Sequence, residues 1–423
     1  MKQKLQARLV AAAAVVALAL SACSASPPAL LKADGVQRAS VDGAPYGAEL
    51  QAFRSSAQKL GAALLSDGGD GANGNVISSP GSLLIALAML RAGATGETAT
   101  EMDRVLGLPG KNRDEAMNAL LASLEKFDGD PGSVDEKNPP RTPVLHVANG
   151  LFVDKGVPTG EGYLKTLAGH YGTGVYPVAF RDASATKSAM DAWVDKNTGG
   201  RIKKSPAPYD PEDTFSLLNA VYLASAWKVP FDPAGTSDLP FTTGDGQQPN
   251  VPTMQTIQQV AYAEGAGWSA VDLPYADGFV MRLVLPDIGT PGSGAPGLAD
   301  AARALEAAAP TTVQIYLPKW DQKSSFDLRR VFASLGLQEM LQTESDFNAI
   351  QQGMVIKQAA QAANITVAEK GTVAAAVTQI NAQAVSGVVQ AMKVIRFDRP
   401  FRYEIVHVET GLPLFMGKVS DPR

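Results

Sequence analysis

Three stretches of the chain alternate apolar and polar residues with the period of two that a half-buried β-strand shows. They are MRLVLPD at 281–287, VQIYLPKW at 313–320 and FRYEIVHV at 401–408. Such alternation turns one face of each segment toward a core and the other face toward solvent. We therefore expect these three segments to be strands of β-sheets.

A helix is expected to begin at Ser79-Pro80, because serine is a good N-cap and proline suits the first helical position. The leucines and alanines from 83 to 90 give this helix a wide apolar face. A second helix fits 97–108, where Thr98 and Glu101 have the spacing of a capping box.

A third helix is expected over 325–341, broken near Gly336. Helical and strand patterns are mixed along the chain without a regular β-α-β alternation. This order favours an α+β fold rather than a parallel doubly wound sheet.

The first residues have the composition of a secretory signal peptide, with a basic start followed by an apolar run over 9–20. That run is too short to be a permanent membrane-spanning helix. It ends in Leu-Ser-Ala-Cys at 20–23, which resembles the lipobox of bacterial lipoproteins. We expect a signal peptide at 1–22 and lipidation of Cys23, with an ordinary signal peptide and a chance cysteine as the alternative.

Residues 23–45 are rich in small residues, proline and glycine, which predicts a flexible tether. One folded domain is expected over 46–423. The chain would then be extracytoplasmic, anchored to a bacterial cell membrane through Cys23 or else secreted. The net charge of −5 and the lack of a basic block with interleaved aromatic residues argue against a nucleic-acid partner.

Several short motifs of enzymes occur, but none has its proper context. Glycine patterns of the dinucleotide type at 69–74 and 292–297 lie in loop-like sequence. Serine and lysine have S-x-x-K spacing at 56–59, 184–187 and 225–228, without the companion motifs of penicillin-binding enzymes. The three histidines lie near no candidate nucleophile in sequence. We expect no catalytic site, no metal and no cofactor.

Segments spread over 46–423 resemble the serpin family of serine protease inhibitors. In chain order they are NVISSPGSLLIALAMLRAGATGETATEMDRVLGL, LLNAVYLASAWKVPFDPAGTSDLPF, VDLPYADGFVMRLVLPD, VQIYLPKW, ITVAEKGTVAAAVT and FDRPFRYEIVHVETGLPLFMGKVSDP. The resemblance implies an α+β fold of three β-sheets, about eight or nine helices and an exposed reactive-centre loop. We expect a monomer.

The stretch EKGTVAAAVT at 369–378 resembles the serpin hinge, which precedes a loop that a serine protease cleaves. In the family, the protease is trapped as a covalent complex when the cleaved loop inserts into the main sheet. An inserting strand alternates its faces, so the residues turned inward must be small. The hinge residues implied are Glu369, Gly371, Thr372, Ala374, Ala375, Ala376 and Thr378.

Counted from Glu369, the resemblance implies a reactive bond between Val385 and Ser386. The bond between Ala384 and Val385 is the alternative. No arginine or lysine precedes Lys393 in this region, so an elastase-like or subtilisin-like target is favoured over a trypsin-like one.

The resemblance also implies a small polar cluster that lets the main sheet open, with a tryptophan beneath the point where the loop enters. These positions correspond to Ser79, Ser82, Asn219, Gln361 and Trp227. Gln361 stands where the family often has a histidine, and glutamine does not titrate. A non-inhibitory serpin that binds a partner or a small ligand is the second functional hypothesis.

Overall fold

The computed structural model describes residues 26–41, 46–289, 298–342, 346–372 and 392–423. Eight α-helices form within these ranges. They are α1 Gly47–Asp67, α2 Pro80–Ala92, α3 Gly96–Leu106, α4 Arg113–Glu125, α5 Glu161–Thr166, α6 Ala183–Asn197, α7 Leu298–Glu306 and α8 Leu328–Leu335. None of them is long and apolar enough to cross a membrane.

Fifteen strands accompany these helices within the same ranges. They are β1 Val76–Ser78, β2 Val144–Asp154, β3 Tyr176–Val178, β4 Phe215–Ala226, β5 Ser237–Pro240, β6 Asn250–Gly265, β7 Trp268–Pro274, β8 Phe279–Pro286, β9 Pro310–Pro318, β10 Trp320–Asp327, β11 Gln358–Ala368, β12 Gly371–Thr372, β13 Lys393–Arg396, β14 Phe401–His407 and β15 Leu412–Val419.

Six strands form the main sheet in the order β10-β11-β12-β4-β2-β3, and nine strands form a second assembly. The long strand β6 divides that assembly, because its residues 253–261 pair with β9 and its residues 262–265 pair with β7. The second assembly therefore consists of two sheets that share β6, and with the main sheet the fold has three sheets. The α+β fold with three sheets and eight or nine helices is therefore confirmed.

Helix α2 lies between the main sheet and the second assembly, with contacts to β2, β4 and β15. Its residues from Pro80 to Leu90 are all buried. A helix that is apolar on all sides needs such a position, because any other would leave part of its surface in water. The helix expected at Ser79-Pro80 is therefore confirmed as a core element.

The three alternating stretches are strands β8, β9 and β14, as expected. The capping box at Thr98 and Glu101 is wrong, because α3 already begins at Gly96. The Glu101 carboxylate instead accepts hydrogen bonds from the backbone N–H groups of Gln338 and Glu339, at 3.0 and 2.8 Å. The Glu101 side chain, which the sequence predicted as part of a cap of α3, therefore links α3 to the segment at 338–339.

The segment expected as one helix over 325–341 has a different start. Its first three residues belong to strand β10, and α8 runs only from Leu328 to Leu335. Asp327 caps the helix by accepting a hydrogen bond from Arg329 N–H at 3.0 Å. Gly336 ends the helix in the left-handed conformation that glycine favours, with φ of 89°.

The segment before the domain differs from the flexible tether expected over 23–45. Leu31 and Val175 exchange two backbone hydrogen bonds of 2.8 and 2.9 Å, and Ala39 N–H donates to the Gly169 carbonyl at 2.8 Å. Arg38 donates to the side chain and the carbonyl of Asn118, at 2.6 and 2.9 Å. Residues 31–39 therefore belong to the folded head. The expected signal peptide and Cys23 lie outside the described residues.

Candidate functional site

The main sheet is split at one end by a strand of two residues. Strands β4 and β11 run parallel and pair directly where 358–362 lies beside 216–220. Further along, β12 lies between them and pairs antiparallel with both. The start of the expected hinge thus occupies the place of an added strand.

Gly371 passes very close to the backbone of β4. Its φ is +156°, and a Cβ atom at this position would lie 2.1 Å from the Ser225 carbonyl oxygen. No other residue type fits there without moving the strand. Just before it, the Glu369 carboxylate accepts a hydrogen bond from Thr236 at 3.0 Å and forms an ion pair with Lys319 at 3.1 Å. These contacts hold Glu369 in place directly before the close approach at Gly371.

Thr372 is 1% exposed, and its hydroxyl group is hydrogen-bonded to the hydroxyl group of Tyr275. The Tyr275 ring stacks on Trp227 with a centroid distance of 4.4 Å. Trp227 in turn donates its indole N–H to the Ala368 carbonyl at 2.9 Å. Burial raises the pKa of Tyr275, so its hydroxyl group stays protonated at neutral pH. Tyr275 was not expected from the sequence, and it joins Trp227 to the hinge.

The polar cluster lies where β4 and β11 are paired, at the first turn of α2. Gln361 is fully buried, accepts a hydrogen bond from Ser79 N–H and donates to the Ser79 carbonyl, both at 2.9 Å. It also donates to Asn219 at 2.7 Å, and Asn219 donates to Ser82 at 2.6 Å. These four residues form one network, while Trp227 lies apart from it beside the hinge.

One member of this network was missed by sequence reasoning. Asn219 also donates to the Asn149 side chain at 2.5 Å. Asn149, Asn219 and Gln361 are register partners on β2, β4 and β11. An asparagine within the strand 144–154 could have been noticed, but only the register places it beside Asn219. Three amide side chains thus cross three strands as a row.

Ser79 has a different role from the one expected of an N-cap. It precedes α2, but its hydroxyl group donates to the Leu414 carbonyl at 2.6 Å and makes no capping bond. The same residue therefore joins three elements: α2, β11 through Gln361, and β15. Separation of β4 from β11 would break bonds in this network, which fits a cluster that controls sheet opening.

The side chains that matched enzyme motifs are engaged elsewhere. Ser56 donates to the Leu106 carbonyl, and Lys59 donates to the Val105 carbonyl at 2.6 Å. His407 is fully buried against Phe127 and Phe279, and burial lowers its pKa to about 4. Among the described residues, no group of three possible metal ligands occurs.

The remaining hinge and reactive-bond positions lie outside the described residues. They are Ala374, Ala375, Ala376, Thr378, Val385 and Ser386. Their roles stay predictions.

The family model for serpins, which are serine protease inhibitors, matches residues 55–422. This chain belongs to the serpin family. It is 28% identical to alpha-1-antiproteinase of Rattus norvegicus over 82% of this chain and 84% of that protein. It is 31% identical to a serpin-like protein of Thermococcus kodakarensis over 84% of this chain and 82% of that protein.

Solved serpin structures share the fold. The native state of tengpin, a thermophilic serpin, has a TM-score of 0.78 and 24% identity, covering 93% of this chain and all of that chain. Thyroxine-binding globulin in complex with thyroxine has a TM-score of 0.75 and 24% identity, covering 88% of this chain and 99% of that one. Serpins are in general protease inhibitors rather than enzymes. The thyroxine-binding globulin structure holds a small ligand, thyroxine.

Proposed function

We propose that this serpin inhibits a serine protease by trapping it as a covalent acyl-enzyme. The observation that carries the proposal is the position of Gly371 and Thr372 between β4 and β11. The loop therefore starts inside the sheet that it would later enter. The residues that would follow Thr372 on the inward face are Ala374, Ala376 and Thr378, all small enough to enter a packed sheet.

The protease carries out the chemistry, and the serpin supplies a loop that the protease recognises as a substrate. The protease serine oxygen would attack the Val385 carbonyl carbon, and an ester would form as the Val385–Ser386 amide bond breaks. The new amino group of Ser386 leaves with the proton that the protease histidine delivers. Insertion of residues 373–385 beside β4 and β11 would then carry the tethered protease away before water can hydrolyse the ester.

Such a mechanism needs a native state that is held by a kinetic barrier. Two features support that barrier here. The amide row of Asn149, Asn219 and Gln361 ties the strands together below the split, and Tyr275 binds Thr372 at its edge. Gln361 is neutral at every pH, so this barrier should not depend on a proton in the cluster.

The target should be an elastase-like or subtilisin-like protease. Residues 380–390 are small, aliphatic or polar, and a small apolar specificity pocket accepts valine but not arginine. We also propose that Cys23 is acylated after removal of 1–22, which would hold the inhibitor at the outside of a bacterial membrane. Both proposals rest on the sequence.

The test is to mix the purified protein with elastase, subtilisin and trypsin and to look for a complex that survives denaturing electrophoresis. We expect such a band with elastase or subtilisin and not with trypsin. Mass spectrometry of the released C-terminal fragment should find a start at Ser386, and a start at Val385 would move the reactive bond to Ala384.

A non-inhibitory binding serpin is the second candidate, because the thyroxine-binding globulin complex shares this fold. The same experiment separates the two. Cleavage by every protease without any covalent band would reject the inhibitor and favour the binding protein.

A further inference from the structure

The segment 128–143, which lies between α4 and β2, is a surface loop whose ends are close together. Leu145 N–H donates to the Phe127 carbonyl at 2.8 Å, so the chain leaves and re-enters the fold at nearly the same place. Compact loops of about this length with adjacent ends often have a function beyond connecting two elements. We call this segment the strap.

The strap has a restricted shape and packs on the main sheet. It contains four prolines, at positions 131, 139, 140 and 143. All of them except Pro140 are buried, and their rings fix the φ angle, so the strap has few alternative conformations. Val134 packs against Tyr222 and Ala224 of β4. The strap is therefore a rigid cover at this end of the sheet.

The strap extends the pairing of β2 with β4 to the last residue of β4. Ala226 N–H donates to the Pro140 carbonyl at 2.9 Å. Ala226 is also the register partner of Gly371 in β12. The end of β4 thus has the strap on one side and the hinge on the other.

The strap also binds a side chain of the hinge directly. Lys370 Nζ donates to Asn138 Oδ1 at 2.7 Å and to the Lys137 carbonyl at 3.2 Å. Asp135 orients this acceptor, because its carboxylate accepts hydrogen bonds from the Asn138 amide group at 2.8 Å and from Lys137 N–H at 3.0 Å. The Asn138 bond is the main reason why the pKa of Asp135 is lowered, so this carboxylate is charged at neutral pH.

A third contact leads from the strap to the strand on the far side of the hinge. Glu136 forms an ion pair with Arg201 at 2.9 Å, and Arg201 donates to the Thr366 hydroxyl group on β11. Thr366 directly precedes Val367, the register partner of Thr372. The strap is therefore joined to both strands that flank the hinge, to β4 directly and to β11 through Arg201.

We infer that the strap is a positioning element for loop insertion, an inference that rests on the proposed function. It keeps Lys370 and Gly371 beside the end of β4, so that residues 373–385 extend a strand that has already started. The first residues of a new strand lose conformational entropy before further pairing can offset that loss. Because Lys370 precedes the inserting residues, its contact with the strap need not break, and insertion gains time over hydrolysis of the ester.

Hydrogen exchange with mass spectrometry tests the positioning on the full native protein without any protease. We expect Lys370→Met to speed the exchange of 369–372 about 3- to 5-fold, because the charged contact is lost while the apolar stem remains. Asn138→Ala should have a similar effect, and the double variant should add little to either single change. Lys370→Arg keeps a charged donor and should stay near wild type.

The matched control is Lys155→Met. Lys155 is exposed, and its side chain has no hydrogen bond or ion pair among the residues that the structure describes. Exchange of 369–372 in this variant should equal that of wild type. Unchanged exchange in Lys370→Met, or fully additive effects of Lys370→Met and Asn138→Ala, would overturn the contact as the one that holds the hinge.

The consequence for inhibition is the number of inhibitor molecules consumed per protease trapped. Lys370→Met and Asn138→Ala should raise this number, since slower insertion gives water more time to hydrolyse the ester. Lys370→Arg and Lys155→Met should leave it unchanged. Faster exchange with an unchanged number would overturn the role in insertion. If wild type forms no covalent complex with any protease, the proposed function fails and this role fails with it, while exchange still decides whether the strap holds the hinge.

Discussion

Thr372 is the last described residue before the loop, and it already lies within the sheet. Its neighbours are Tyr275 and the backbone of β4, so its side chain has no route to solvent. The identity of this single residue should therefore decide whether the loop can follow it into the sheet.

We predict that Thr372→Arg converts the inhibitor into a substrate. An unpaired guanidinium group buried beside Tyr275 would cost several kcal/mol, so the arginine should force residue 372 out of the sheet and prevent the residues after it from following. Electrophoresis with the target protease should find cleaved serpin without the covalent band. Thr372→Ser keeps the hydroxyl group and should inhibit normally. Full inhibition by the arginine variant would contradict the hinge assignment.

Gln361 satisfies both backbone groups of Ser79 as well as Asn219. We predict that Gln361→Leu lowers the barrier to sheet opening and destabilises the native state by about 1–3 kcal/mol, because buried polar groups lose their partners. The midpoint of urea unfolding measures this loss. The same substitution at the exposed Gln255 should have little effect, and equal effects at both positions would count against the cluster.

At the scale of elements, the docked segment 26–41 changes how an anchor would hold the head. Cys23 precedes Leu31, which pairs with Val175, by eight positions. A flexible chain of this length reaches about 16 Å. A lipid-anchored head would therefore stay close to the membrane surface, on the side of Val175.

We predict that Gly174→Ala releases this segment. A Cβ atom at position 174 would lie 1.9 Å from the Leu31 carbonyl oxygen, so the backbone bridge between Leu31 and Val175 could not form. Limited proteolysis should then cut within 26–41 at least several-fold faster. Gly169→Ala is the control, because no heavy atom lies within 4 Å of its added Cβ. Equal cleavage of both variants would mean that Leu31 does not hold the segment.

We predict that Cys23→Ser releases the protein from bacterial membranes without lowering inhibition. A diacylated cysteine anchors stably, since two acyl chains suffice where one is marginal. Fractionation followed by an inhibition assay of the soluble protein measures both effects. A variant that still sediments with membranes would contradict the lipobox.

At the scale of the whole molecule, stability should depend on pH through a buried histidine on β14. His407 packs between Phe127 and Phe279, its Nδ1 atom is bonded to Thr410 at 2.9 Å, and Lys126 and Glu409 face it. Burial lowers its pKa from 6.5 to about 4, with Lys126 acting in the same direction and Glu409 against it.

The unfolded chain therefore binds a proton at this residue more readily than the native state does. Stability from neutral His407 is present above pH 6.5 and is lost as the pH falls toward 4, by at most about 3 kcal/mol. We predict that His407→Gln flattens the fall in the urea midpoint between pH 7 and pH 4.5. The same slope in both proteins would contradict this origin.

The strands and the core helix could be predicted from the sequence because their patterns are local. Alternation in 281–287, 313–320 and 401–408 reports which side of a strand is buried, and the all-apolar face after Pro80 reports a buried helix. Serpin membership was also within reach, since its motifs are spread along the chain. The capping box failed because Glu101 binds residues far away in sequence, which no local spacing can reveal.

By itself, the sequence determined the composition of each element, the small residues of the hinge and the absence of lysine and arginine between Lys370 and Lys393. Only the tertiary structure decided which residues meet. Strand register brought Asn149 to Asn219 and Gln361, and the split sheet brought Tyr275 to Thr372. The physical reason is that side-chain periodicity records burial within one element, whereas these contacts join elements distant in the chain and depend on how the sheets pair.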